Sequence, residues 1–365
     1  MRFIFAVVFV LSTFVFSTVS RSLSAEESDY LPIVSDKAAG IVDLALIYQG
    51  GTHRIPWTVE QFRPYLTWTD PETKKEEWLF DGFLFIEFQS GKGEMYAKGY
   101  GRKPATKEDW LWYLDRVFAP DLAIHALEQE LGQTIKRLGQ PPRKRKVVLT
   151  VPEPIIQTEN WGELDGKPLE FTNTDDRIAA TKWFINKLFE RWENGNFQHL
   201  ELAGFYWVAE EMGNSDQQLI QATGDYIRSK EKRFFWIPWW NSPGSRNWKQ
   251  LGFDAAYQQP NYFFVRYNYP ETHVSTACDF AKSQGMGMEM EWDSDLFRDP
   301  DNFAPRFVNY VDSFEQKGVW DRSAVAHYMG GHSMIEFQKS EVPRIKELYN
   351  RYCKILSQRQ KHQQD

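Results

Sequence analysis

Two glutamates stand two residues apart in the segment GMEMEWD, residues 287–293, among residues suited to a buried strand. Strand side chains alternate, so Glu289 and Glu291 point one way while Met286, Met288 and Met290 point the other. An ionised carboxylate buried without a partner is costly, so two on one face of a core strand demand a use. A second acidic pair, Glu210 and Glu211, ends the segment GFYWVAEE. Amides and aromatics end the runs that follow: Trp239, Trp240 and Asn241, then Gln259, Asn261 and Tyr262, and later Tyr328. Carboxylates that move protons or attack carbon, amides that bond hydroxyls and aromatic faces that stack on rings are the parts of a sugar-handling cleft. Cleaving a glycosidic bond needs two carboxyl groups across it, about 5–5.5 Å apart for retention and about 6.5–9.5 Å for inversion.

Glu289 and Glu291 are roughly 6.5–7 Å apart along one strand and approach from one side, so they are poor partners for each other. The expected catalytic pair is Glu210, protonating the leaving oxygen, and Glu291, attacking the anomeric carbon or activating water. Glu211 is the alternative to Glu210, because neighbouring residues face opposite ways. Glu289 is expected to tune Glu291 or hold a hydroxyl. Glu211, Trp207, Trp239, Trp240, Asn241, Gln259, Asn261, Tyr262 and Tyr328 complete the expected substrate-binding set. The plainer readings are a buried salt bridge from Glu289 or Glu291 to Arg266 or another barrel residue, and tryptophans that simply fill the core. Glu87 and Glu153 read as structural or substrate-orienting.

Eight short apolar runs must position these groups: residues 41–49, 82–89, 146–154, 202–211, 234–241, 253–262, 286–292 and 324–331. Their length and their Val, Ile, Phe and Tyr content read as buried strands. Helical patterns separate them, as at 106–118, 119–139, 174–195, 216–230, 271–285, 304–318 and 340–358. Strands that alternate with helical crossovers form a parallel sheet, and eight such units favour a closed (β/α)8 TIM barrel, an α/β fold. Active sites of such barrels lie at the C-terminal strand ends, where the carboxylates, amides and aromatics collect. Asp70-Pro71 marks a turn, and with it a small hairpin, between the first two strands. The fifth crossover has room only for a short helix. The long glycine-rich loop 90–105 after the second strand is a candidate lid.

The 365-residue chain is 42% hydrophobic and 25% charged, as expected of a globular protein with a substantial core. Its net charge of −7, with no long basic stripe, argues against a nucleic-acid partner. Arg2 followed by an apolar run to Val19 reads as a signal peptide over residues 1–25, cleaved after Ser20 or Ala25. The remainder, 26–365, is then one exported, periplasmic or extracellular domain, monomeric and free of the membrane. Cys278 and Cys353 fall on crossovers that are not neighbours and are expected to be free thiols. Neither cofactor nor metal is expected, since HExxH, GxSxG, P-loop and GxGxxG patterns are all missing.

The ordered blocks LFDGFLF, GFYWVAEE, FFWIPWW, LGFDAAYQQPNY and GMGMEMEWD resemble an uncharacterised family of exported bacterial proteins, grouped with the TIM-barrel glycoside hydrolases. The resemblance spans nearly all of the chain after the leader. It implies the barrel and a glycan-related role. Hydrolases of that clan place an acid/base Glu after strand four and a nucleophile Glu after strand seven, positions that Glu210 and Glu291 match. The clan's Asn-Glu pair at strand four is missing, because Ala209 precedes Glu210. The alternatives to an enzyme are a glycan-binding barrel that has lost catalysis and a scaffold in a surface glycan system.

Overall fold

The computed structural model describes residues 29–361, apart from residues 53, 214 and 215. The expected signal peptide lies outside the described residues. Eight parallel strands close into a barrel: β1 (Asp43–Tyr48), β2 (Gly82–Ile86), β3 (Arg145–Val151), β4 (Leu200–Trp207), β5 (Arg233–Trp236), β6 (Ala255–Gln258), β7 (Gly287–Glu291) and β8 (Val325–Tyr328). They follow one another around the ring in chain order, and β1 pairs with both β2 and β8 to close it. This is the (β/α)8 TIM barrel. Among the described residues no helix is long and apolar enough to cross a membrane.

Local chemistry sets the element boundaries. The helix Lys107–Val117 begins at a capping box, in which Asp109 Oδ2 accepts from the Thr106 backbone N–H at 3.0 Å. Thr174–Asn194 is capped by the side chain of Asn173, which accepts from the Asp175 N–H. The Asp70-Pro71 turn joins the antiparallel pair Thr67–Thr69 and Glu76–Trp78, and the short fifth crossover is the single turn Trp248–Leu251. Cys278 and Cys353 are free and buried.

The barrel floor is filled by side chains and sealed by the segment before β1. Leu31 bonds the backbones of Met286 and Ala324 at 3.0 and 2.9 Å, tying the entrances of β7 and β8 together. Tyr257 on β6 lies fully buried in the floor, and Gly287 makes room for it, since a Cβ there would sit 2.6 Å from the ring. Under the helices, Asp43 on β1 accepts from Arg359 Nε at 2.9 Å and lies 3.0 Å from His327 Nε2, while Tyr352 reaches His327 Nδ1 at 2.7 Å. His327 thus bonds a carboxylate in the layer under the C-terminal helix Pro343–Arg359.

Candidate active site

The C-terminal strand ends surround an open cleft of about 660 Å³, within the range of small-ligand sites. β7 delivers its carboxylates there through the two-residue period. Glu289 and Glu291 line the cleft, and Met288 and Met290, from the opposite face of the strand, are fully buried. Aromatic residues from around the ring frame the space, among them Tyr48, Phe88, Tyr206, Trp239, Tyr267 and Tyr328.

Glu210 enters from the loop after β4, three strands around the ring from β7. Two donors hold it. Tyr100 donates its hydroxyl to Oε2, and Gln259 Nε2 donates to Oε1 at 2.5 Å. Burial pushes its pKa from 4.5 up to about 7, and the two donors counter only part of that. Glu291 is held by three donors. The Asn261 backbone N–H reaches Oε2 at 2.6 Å, Tyr310 donates its hydroxyl to the same oxygen, and Asn261 Nδ2 reaches Oε1 at 3.2 Å. Burial still raises it to about 8, helped by the charge of Glu210. Glu289 is 2% exposed, and among the described residues no donor reaches its carboxyl. Burial, then the charges of Glu291 and Glu210, push it well above its ordinary value. Three donors thus stabilise the carboxylate of Glu291, and among the described residues none stabilises that of Glu289.

Asn261 is the hub of this arrangement. It adopts a left-handed backbone (φ 58°), which Asn tolerates better than most residues. The turn aims both its backbone N–H and its side-chain amide at Glu291. Its Oδ1 accepts from the Trp240 N–H at 2.8 Å, and its Nδ2 also donates to Gln259 Oε1 at 2.9 Å. A continuous amide bridge, Gln259 to Asn261, thus joins Glu210 to Glu291. The second hydrogen of Gln259 Nε2 goes to the Ile237 carbonyl at 2.8 Å.

These bonds change several expected roles. Gln259 and Asn261 line the cleft, but their amide hydrogens are committed to Glu210, Glu291 and each other, so they position carboxylates and have none left for hydroxyls. Trp239, Tyr328 and Glu289 face the cleft. Glu211 is exposed and faces a smaller side cavity. Four expected contacts lie elsewhere. Trp207 has the strand parity opposite to Tyr206 and packs edge-on against Phe234 in the core. Trp240 packs against His273 and Phe280. Asn241 turns to solvent in a left-handed turn (φ 59°). Tyr262 packs against Tyr310 and under Arg306. The salt bridge to Arg266 does not form; Arg266 is exposed and lies over Phe264 and Tyr267.

Sequence reasoning missed Tyr100, Tyr310 and Arg54. Arg54 lies over the Tyr48 ring at 4.5 Å and 3.4 Å from Glu87, which its cation holds in place. The loop proposed as a lid is pinned: Gln89 Nε2 donates to the Tyr100 carbonyl at 2.5 Å, and Glu153 Oε2 accepts from the Lys98 N–H at 2.8 Å. Among the described residues no group of His, Cys, Asp and Glu is arranged to hold a metal ion.

Comparison with solved structures returns only distant likenesses. A family 18 chitinase from Crocus vernus is 9% identical, covers 86% of this chain and 98% of its own, and superposes with a TM-score of 0.43. A mutant tryptophan synthase alpha-subunit from Pyrococcus furiosus (8%, 86% and 97%, TM-score 0.34) and the intracellular xylanase TsXylA from Thermoanaerobacterium saccharolyticum (8%, 77% and 90%, TM-score 0.36) are similar at the same level. Such likeness concerns the fold alone. No curated protein matches the sequence. Residues 43–354 match a domain of unknown function, DUF4855, and the chain belongs to that family.

Proposed function

We propose that this DUF4855 chain is a glycoside hydrolase, and that Glu210 and Glu291 act across the scissile bond. The observation that carries this reading is the amide-bridged pair of carboxyls, on separated strands of one open, aromatic-lined mouth. As the glycosidic C–O bond breaks, Glu210 gives its proton to the leaving oxygen. Glu291 either forms the ester bond to the anomeric carbon, later displaced by water that Glu210 deprotonates, or takes the proton of a water that attacks directly. Neutral Glu289 donates a hydrogen bond to a sugar hydroxyl, as a carboxylic acid kept protonated by its site can. Aromatic faces at Trp239 and Tyr328 give the ring a surface to stack on.

The two functional carboxyls titrate close together, at about 7 and about 8. The reactive form, with a proton on Glu210 and none on Glu291, is then a minority even at its optimum, and the pH–rate profile is a narrow bell. The test is turnover on a glycan panel by wild type, Glu210→Gln and Glu291→Gln. Each substitution is expected to cut kcat by about 10²–10⁴-fold. Wild-type turnover that survives both would overturn the assignment. Binding without turnover would make the molecule a glycan-binding barrel instead.

A further inference from the structure

A second cavity of about 280 Å³ adjoins the main cleft, between the β2, β3 and β4 loops. Three residues face both spaces: Tyr100, Glu210 and Trp239. They form the partition. Tyr100 is held on three sides, by its hydroxyl on Glu210, by Gln89 on its carbonyl, and by the Phe88 ring stacked at 4.3 Å. Gly99 beside it has a positive φ of 90° and open space around it, so the strap turns there without touching the wall opposite. Glu153 and Glu211 stand on the far side of the partition.

We propose that this second cavity is the leaving-sugar site of the reaction, and that it accepts a sugar unit bearing no acid group. The proposal rests on the hydrolase reading and extends it to substrate class. A glycosidic oxygen has one sugar on each side. If Glu291 faces the anomeric carbon from the main cleft, a proton donor set in the wall serves an oxygen whose other sugar lies beyond that wall. Glu210 holds this place, and the cavity has room for a sugar ring. The charges around the cavity set its preference. Beside Glu210, which carries the proton to be donated, the acids Glu153, Glu211 and Asp216 line it with Lys98, and Asp216 pairs with Arg177 at 2.8 Å. A uronate or sulfated unit meets like charge there, whereas a neutral or ammonium-bearing unit does not.

The test uses Gln157→Trp, an exposed cavity-lining change that fills this space, and two probe sets: 4-nitrophenyl monoglycosides and oligosaccharides of the same sugar. The nitrophenyl group is a small activated leaving group that has little need of the site. The variant is expected to lose about ten-fold or more in kcat/KM on oligosaccharides relative to the nitrophenyl substrates. Equal losses on both would overturn the leaving-sugar site while the hydrolase reading stands. If wild type turns over neither set, calorimetric binding of the oligosaccharides decides: weaker binding by Gln157→Trp supports a sugar site, and unchanged or undetectable binding overturns it. Oligogalacturonides cleaved as well as cello- or chitosan-oligosaccharides would overturn the charge preference.

Discussion

The floor and the mouth of the barrel each bury carboxyl groups, and they treat them oppositely. At the floor, burial alone would raise Asp43, but Arg359 and His327 outweigh it and hold the carboxyl below its ordinary 3.8. At the mouth, Glu289 has no such partner, Glu291 and Glu210 have neutral donors only, and all three rise. The same cost of burial is cancelled by cations in one place and left standing in the other. A charge cancelled by fixed neighbours has nothing left to offer a substrate. One held short of cancellation can move a proton near neutral pH.

That contrast can be broken at the floor first. Arg359→Met leaves Asp43 buried beside His327 alone and is expected to cost about 3–5 kcal/mol, read as a lower midpoint in urea unfolding. A loss within the range of ordinary surface changes would mean that the floor network contributes little. The mouth should behave in the opposite sense. Its raised carboxyls favour the folded state at low pH, and this contribution is lost as pH rises from 4.5 through about 7 for Glu210 and about 8 for Glu291. Glu289→Gln removes one of these acids, so it is expected to be more stable than wild type near pH 9 and no more stable near pH 5, read as the urea midpoint at each pH. Asp43 works the other way, since its stabilising charge is lost only as pH falls through its lowered value. The smallest effect sharpens the comparison within the mouth. Tyr310→Phe removes one donor from Glu291, and the limb of the pH–rate profile that reports Glu291 should move up by about one unit. No movement would show that another group controls that limb.

The alternation of eight apolar runs with helical patterns made the barrel readable, and the period-two pattern of β7 made the placement of Glu289 and Glu291 readable, because a buried parallel strand has little freedom in where alternate residues go. The same rule, applied to β4, would have separated Tyr206, which faces the cleft, from Trp207, which cannot share that face. Beyond the strand ends the rule lapses. Asn241 and Asn261 both turn left-handed there, yet one faces solvent and the other organises the site, and only the fold distinguishes them. Tyr100 lies 110 residues from Glu210 in the chain, and Tyr310 reaches Glu291 from a crossover helix, so no local pattern announces either bond. Gln259 and Asn261 were readable as cleft residues but not as supports, because what an amide bonds depends on what the fold sets beside it.

The Asp43–Arg359 bond spans 316 residues. Synthesis makes the acid near the beginning of the barrel and its cation only after the last strand and the last helix have followed. Until Arg359 emerges, β1 carries a charge that lacks its arginine partner. Completion of the ring is therefore tied to the helix Pro343–Arg359: a product that stops short of it carries an acid without its cation at the barrel's base, and with it a reason not to close.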